Sequence, residues 1–385
     1  MPKRSDRRRD DAGVSYWCRI GLVILLAGIL LPGYADAANR PGSNWDADAF
    51  SSEVSAATDE AHLWTKEDIE AAVERFERLS HRARSSGEFA AAAACIRESA
   101  SLQIILGNMD RSLAQLESSL ELEKRVSIPD GSVETLAFLA YYYSVLGNQK
   151  QSSANIRKVL ARIDAVTSDA ARARIYLHLG QAYYGFEDVP NLFKYDSLAY
   201  EYFDRAGDAL GKAKASVELA FAFLAKEELQ KAFAQAESAE TLSLQLQYKR
   251  GVGMSRVALG LATFKLGRTE SAMRSFAGAE AVFPRDIDAS ERAVLLYNFG
   301  RVYGHYGDCQ NSLRYFEQAA ELLRSADNLA WLVGNLWTLG DQYWQCGLTA
   351  EAFSTLNESL RLAILTHKPH GAIQAYTLLG KISTQ

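Results

Sequence analysis

The chain has 385 residues, of which 48% are apolar and 23% are charged, and this composition excludes an intrinsically disordered protein. It contains 58 alanines and only 7 prolines, so the residue usage favours helix. A net charge of −5 provides no basic surface for nucleic acid, and we expect no nucleic-acid partner.

The first segment of the chain has the three-part order of a secretory signal peptide. Basic residues between Lys3 and Arg19 precede an apolar run from Ile20 to Leu31, and the small residues Ala35 and Ala37 follow. We therefore predict a signal peptide over residues 1–37, with cleavage after Ala37 and a mature protein that is periplasmic or secreted. The alternative is an uncleaved segment, residues 20–37, that anchors the protein in the inner membrane, and only then is a membrane a partner.

The next stretch predicts a leader and one helix. Residues 38–65 are rich in Ala, Ser, Asn and Asp, which predicts a flexible leader. From Glu67 to Ser86 apolar residues recur at helical spacing, at Ile69, Val73, Phe76 and Leu79. Because this stretch lacks the full repeat pattern described next, we predict residues 66–87 as an N-terminal capping helix of a repeat array over residues 88–385.

The rest of the chain repeats with a period of forty residues. One position of the repeat is always Gly or Ala, at Ala100, Ala140, Gly180, Ala220, Gly260, Gly300, Gly340 and Gly380. An aromatic residue follows three positions later in most repeats, and a glycine follows after seven positions in five of them. The small residue lets two helices approach closely and the glycine ends the first helix, so each period predicts one antiparallel helix pair. One pair cannot bury its apolar face alone, so the pairs must stack.

These residues resemble the tetratricopeptide repeat (TPR) family. Leu339-Gly340-Asp341-Gln342-Tyr343, followed by Gly347, Ala352 and Leu356, has the family's order of small and aromatic positions. The period of forty is similar to the long-helix subclass, and with the signal-like leader it points to a bacterial extracytoplasmic member. The resemblance implies an all-α fold, a right-handed α-solenoid of antiparallel helix pairs, with about seven 40-residue TPR-like repeats plus capping helices.

The resemblance also implies where a partner would bind. In the family, side chains of the first helices line a concave groove, and the paired Lys and Asn residues of its carboxylate clamp are missing here. The groove positions carry aromatic residues instead, and aromatics with Arg are typical of interface hot spots. We predict partner contacts at Tyr184, Phe221, Phe264, Tyr297, Arg301, Trp337, Asp341 and Trp344. The alternative is that these side chains pack between repeats.

The motifs of known catalytic sites are missing from the sequence. It has no Gly-rich phosphate loop, no Gly-x-Ser-x-Gly and no His-Glu-x-x-His. We therefore expect no catalytic residue and no cofactor. We also expect no metal site, because His367 and His370 lack a third ligand. The sequence indicates a non-catalytic scaffold of the cell envelope that binds a protein or peptide in the concave aromatic groove. The alternative is the sensory half of a bacterial signalling protein linked to a cyclase or kinase output domain.

Two further features concern the repeats themselves. Cys309 begins the second helix of one pair and Cys346 ends the first helix of the next, and antiparallel stacking brings such ends together. In an oxidising compartment they would form a disulfide, and the alternative is two separate packing residues. Cys95 is predicted to be a buried free thiol. Asp196 stands where other pairs have an apolar residue, and we expect that pair to pack loosely.

Overall fold

A computed structural model describes residues 46–63, 65–126, 129–186, 188–283, 289–326, 328–366 and 368–384. These residues are predominantly α-helical and contain no β-strand, which confirms the predicted all-α solenoid. In chain order the helices are α1 (Ala47–Leu63), α2 (Lys66–Ser85), α3 (Phe89–Ile105), α4 (Met109–Glu123), α5 (Asp130–Val145), α6 (Gln149–Leu160), α7 (Asp169–Gly185), α8 (Val189–Ala206), α9 (Ala209–Ala225), α10 (Leu229–Gln245), α11 (Lys249–Lys265), α12 (Thr269–Glu280), α13 (Ala289–His305), α14 (Cys309–Ser325), α15 (Leu329–Gln345), α16 (Thr349–Leu365) and α17 (Pro369–Ser383). The predicted signal peptide lies outside the described residues.

The small residue of each first helix receives a side chain from the second helix of its pair. A Cβ added to Gly340 would lie 2.6 Å from Cγ of Leu356, and one added to Gly260 would overlap the ring of Phe276. Ala140 and Ala220, the small residues of two other first helices, are fully buried. The Gly and Ala residues that recur every forty positions therefore lie where the two helices of each pair approach most closely.

The turns between the paired helices need a left-handed backbone. Gly147 and Gly347 have φ of 70° and 80°, a conformation that glycine adopts without a steric penalty. Glu227 occupies the same turn position in the pair α9/α10 with φ of 61°. The loss of glycine at this position therefore leaves the turn intact and adds a local strain.

The N-terminal region differs from the sequence prediction. Ala47–Leu63, within the predicted flexible leader, forms α1, in which Phe50 and Val54 are buried. The next helix, α2, buries Ala72, Phe76, Leu79 and Ala83, each of which precedes a buried residue of α4 by forty positions. We predicted residues 66–87 as a capping helix, but α1 and α2 form a further helix pair in phase with the array.

Successive turns of the superhelix touch each other. Helix α1 contacts α11, whose bounds lie 202 residues further along, close to five periods of forty. Phe283 and Trp331 pack against the N-terminal cluster that contains Phe50. At the C-terminal end, Lys368 Nζ donates a hydrogen bond to the Gly185 carbonyl, 183 residues earlier, at 3.3 Å. Segments about 200 residues apart in sequence therefore lie against each other in the folded array.

Candidate binding groove on the inner face of the superhelix

Three of the predicted contact residues meet on the inner face of α11 and α13. The guanidinium of Arg301 lies 5.4 Å from the ring centre of Phe264 and 5.8 Å from that of Tyr297. The Tyr297 hydroxyl lies 3.3 Å from the hydroxyl of Thr338 on α15, which extends the contact to a third first helix. A cation held between two rings in this way retains donors for a ligand and adds to affinity when the site is desolvated.

Two tryptophans continue this surface toward the C-terminus. Trp337 and Trp344 are half-buried, and both pack against the C-terminal cluster that contains Leu356. Asp341, one turn before Trp344, is also half-buried and accepts a hydrogen bond from Gln345 at 2.7 Å. We call Phe264, Arg301, Trp337, Asp341 and Trp344 the aromatic strip.

The other predicted contact residues belong more to packing than to a free surface. Phe221 is 1% exposed and lies in the core formed by α9, α11 and α13, so for this residue the alternative of inter-repeat packing holds. Tyr297 is 6% exposed and packs on Phe316 as well as on Arg301. Tyr184 is half-buried and lies beside two core clusters, apart from the aromatic strip. The burial of Phe221 follows from the packing of α9 against α11, which the repeat pattern does not specify.

The N-terminal half of the interior is charged instead of aromatic. Arg174 donates two hydrogen bonds to the Glu134 carboxylate, at 2.8 and 3.0 Å, and Arg97 lies 3.4 Å from the same group. Burial alone would raise the pKa of Glu134, but the two guanidinium groups outweigh it and lower this pKa to about 2. Farther along, Arg250 donates to buried Glu291 at 2.9 Å. These pairs link first helices of neighbouring repeats.

Three fully buried ionisable groups nearby lack such a partner. Lys214 Nζ makes no hydrogen bond within the described residues, and burial lowers the Lys214 pKa to about 7. The Glu218 carboxylate accepts one hydrogen bond, from Gln181 at 3.0 Å, and burial raises its pKa to about 8. The pKa of Asp196 is also raised, first by burial and then by Glu218, and neither oxygen of Asp196 accepts a hydrogen bond in the described structure.

His178 lies against this charged region and is held uncharged. Its ring stacks on Phe138 with 4.6 Å between ring centres, and its Nδ1 lies 3.2 Å from the Gln181 side-chain oxygen. Burial lowers the His178 pKa to about 4. The sequence contains a signal for these ion pairs that the sequence analysis did not use. Glu134 and Arg174 stand forty residues apart, at the same repeat position, with opposite charges.

The cysteines form one disulfide and one buried thiol. Cys309, at the start of α14, is bonded to Cys346, at the end of α15, with 5.9 Å between the Cα atoms. The bond joins the helix pairs α13/α14 and α15/α16 directly next to the aromatic strip. Cys95 is free and buried, and burial raises the pKa of its thiol.

Two structural observations concern metal binding and membrane insertion. His367 lies outside the described residues, and among those described no group of three His, Cys, Asp or Glu side chains is arranged to hold a metal ion. Among the helices of the described part, none combines the length and the apolar character that crossing a bilayer requires.

The fold is similar to that of solved helical repeat proteins. A Rap protein complexed with competence and sporulation factor superposes with a TM-score of 0.57 at 11% identity, over 88% of this chain and 98% of that one. A signal transduction ATPase with a tetratricopeptide repeat sensor from Pyrococcus horikoshii gives 0.48 at 12% identity, over 82% and 52%. Aspartyl phosphate phosphatase F from Bacillus subtilis gives 0.47 at 11%, over 89% and 95%. No protein-family model and no curated protein sequence matches the chain. The structural similarity shows that the chain has a TPR-like fold.

Proposed function

We propose that the protein is a non-catalytic scaffold that binds another protein or a peptide on the inner face of its superhelix. The observation that carries this proposal is the aromatic strip, where Arg301 lies against Phe264 beside two half-buried tryptophans. Tryptophan, tyrosine and arginine dominate the energetics of protein interfaces because they combine large apolar area with polar groups. Because both tryptophans are already half-buried, a bound segment would remove the remaining water from their rings.

The similar Rap structure supports a peptide as one class of ligand. That structure was solved as a complex with competence and sporulation factor. An extended or helical segment bound along the first helices would place its apolar side chains against the rings of the aromatic strip. The polar atoms of Asp341 and Arg301 would then fix the direction of the segment.

We further propose that the protein works in the cell envelope, outside the cytoplasm. The signal-like leader of residues 1–37 supports this location, and so does the disulfide between Cys309 and Cys346, because such bonds persist in oxidising compartments. Anchoring by residues 20–37 is the alternative. The long-helix TPR subclass fits the forty-residue period.

The test is affinity capture from the protein's own cell envelope with matched arginine variants. Arg301→Ala removes the cation of the aromatic strip, and we expect it to lose the partner that the wild type retains. Arg314→Ala is the control, because Arg314 makes the same type of contact, 4.8 Å from the Tyr315 ring, on a second helix. Equal capture by wild type and Arg301→Ala would refute the inner-face site.

The non-catalytic part of the proposal needs its own assay. One similar fold is named a phosphatase, so release of phosphate from an aspartyl phosphate is the reaction to measure. We expect no release above the uncatalysed rate. The non-catalytic proposal would be wrong if the wild type shows turnover that Arg301→Ala or Glu218→Gln abolishes and Arg314→Ala retains. The protein would then be an enzyme.

A further inference from the structure

A cavity of about 750 Å³ lies between α4 and α6, the second helices of two successive pairs. Small-molecule sites have volumes of about 300–1,000 Å³. Leu120 of α4, which is half-buried, and Leu136 of α5, which is 6% exposed, give the cavity an apolar part. The aromatic strip belongs to first helices nearer the C-terminus, so this cavity is a separate place on the molecule.

The early end of α6 brings an exposed cation to this cavity. Helix α6 has 12 residues, whereas α4 has 15. After Leu160 the chain leaves the helix and forms a short 3₁₀ helix at Ile163–Ala165. At the repeat position where α4 has Leu122, which is 3% exposed, the next repeat therefore has Arg162 outside the helix, where it is exposed and lines the cavity.

The cations on the α6 side are not neutralised by neighbouring carboxylates. Among the second helices of the described residues, α6 alone contains neither Asp nor Glu. Lys158 of α6 and Arg162 both line the cavity and are exposed, and neither makes an ion pair within the described part of the chain. Two such cations beside an apolar surface suit an anionic ligand, because hydrogen bonds between charged groups are the strong ones.

The α4 side of the cavity carries carboxylates, most of which are already paired. Glu121 is paired with Lys124, and buried Glu123 is paired with Arg97. Glu117 also lines the cavity and makes no ion pair with any residue that the structure describes. The charges left over are therefore the two cations of the α6 side and one carboxylate. This balance suits a ligand with a single net negative charge.

We propose that this cavity binds a small amphiphilic organic monoanion, with its anionic group at Lys158 and Arg162 and its apolar body against Leu120 and Leu136. The planar guanidinium can donate two parallel hydrogen bonds to a carboxylate or a phosphodiester, and the ammonium of lysine adds a further donor. A soluble carboxylate on an apolar body and the head group of an anionic lipid share this chemistry. The site is independent of the proposed inner-face function.

Isothermal titration calorimetry of the purified protein with 4-phenylbutyrate tests the soluble form of the ligand. We expect the neutral 4-phenylbutanamide, which has the same apolar body, to bind about tenfold more weakly. Arg162→Ala and Lys158→Ala should each weaken the binding of 4-phenylbutyrate by about the same factor. Arg157→Ala is the matched control, because it removes the same charge from an exposed position of α6 that does not line the cavity. This control should bind like the wild type.

Co-sedimentation with phosphatidylglycerol vesicles tests the lipid form, and phosphatidylcholine vesicles, which have no net charge, are the comparison. Binding to phosphatidylglycerol that Arg162→Ala loses and Arg157→Ala keeps would identify a lipid as the ligand. Binding of 4-phenylbutyrate without vesicle binding would identify a soluble one. Ser118→Phe, at a half-buried residue of the lining, keeps every charge and fills part of the cavity, so it should weaken the binding of either probe.

Three results would overturn the proposal. One is that neither 4-phenylbutyrate nor phosphatidylglycerol binds. Another is equal weakening by Arg157→Ala and Arg162→Ala, which would indicate general attraction to a basic surface. The third is equal binding of 4-phenylbutanamide and 4-phenylbutyrate, which would leave the two cations without a role. The charge variants replace exposed side chains, and circular dichroism with thermal unfolding verifies that each variant folds like the wild type.

Discussion

The buried carboxyl of Asp196 should destabilise the protein, and replacing it by leucine should stabilise the fold. Asp196 of α8 lies over Gly180 of α7. At the same repeat position, the pair α15/α16 has Leu356 over Gly340. Leucine at 196 would therefore enter a notch that already accepts leucine in a sister repeat. Removing an unpaired buried polar group contributes about 1–3 kcal/mol and burying the leucine side chain about 2 kcal/mol, less a repacking cost of similar size. We expect a net gain of about 2 kcal/mol at pH 8.

The gain should depend on pH with a definite sign. The folded-state pKa of Asp196 is raised by burial and by Glu218, so the folded protein holds this proton more tightly than the unfolded chain. Its favourable contribution is fully present below the unfolded pKa and is lost as pH rises toward the folded pKa. The pKa of Glu218, raised to about 8, extends the same trend. Asp196→Leu should thus gain less at pH 5 than at pH 8.

Urea unfolding of wild type, Asp196→Leu and Asp196→Asn at pH 5 and pH 8 measures both effects. The asparagine variant removes the charge and keeps an unpaired polar group, so we expect it to lie between the other two at pH 8. Asp204→Asn, at an exposed residue of the same helix, is the control and should change little. A leucine variant less stable than wild type at both pH values would refute the reasoning and indicate a stabilising partner for Asp196.

Three further predictions address the charged interior, the disulfide and the leader. Glu134→Ala should cost about 3–5 kcal/mol because it leaves the buried guanidinium of Arg174 unpaired, and the double variant Glu134→Leu/Arg174→Leu should cost less than the single one in urea unfolding. Loss of the disulfide in Cys309→Ser/Cys346→Ser should cost at most about 4 kcal/mol for a sequence separation of 37, and a reducing agent should lower the wild type to the level of the variant and leave the variant unchanged. N-terminal sequencing of the protein from cells should begin at Ala38, and a sequence that begins within residues 1–19 would favour the membrane anchor.

The fold could be predicted from the sequence because the solenoid is built from local, repeated rules. The contact of Leu356 with Gly340 and the turn at Gly147 each lie within one helix pair. Because the same residue types recur every forty positions, the sequence indicates both roles. Helix α1 was missed because its surface is rich in Ser, Asp and Ala. Its buried residues Phe50, Val54, Ala57 and Ala61 have helical spacing, but one of the helices that α1 contacts, α11, lies far along the chain.

The candidate site could be predicted only in its residue types. The resemblance indicated which positions of the first helices face inward, and Arg301 with Phe264 lies there. Whether such a side chain is accessible depends on how tightly the superhelix closes, and that curvature sums small rotations over many pairs. Phe221 is therefore buried although its repeat position is that of a groove residue.

The contacts between successive turns change how this array should fold. A solenoid with contacts only between neighbouring repeats can gain or lose repeats from its ends, one pair at a time. Here the hydrogen bond from Lys368 to Gly185 and the packing of α1 on α11 join segments about 200 residues apart in sequence. These long-range contacts form late in folding, because closing so long a loop costs conformational entropy. They also couple the unfolding of each end of the chain to the middle of the array. The protein should then unfold more like a single cooperative globule than like a linear chain of independent repeats.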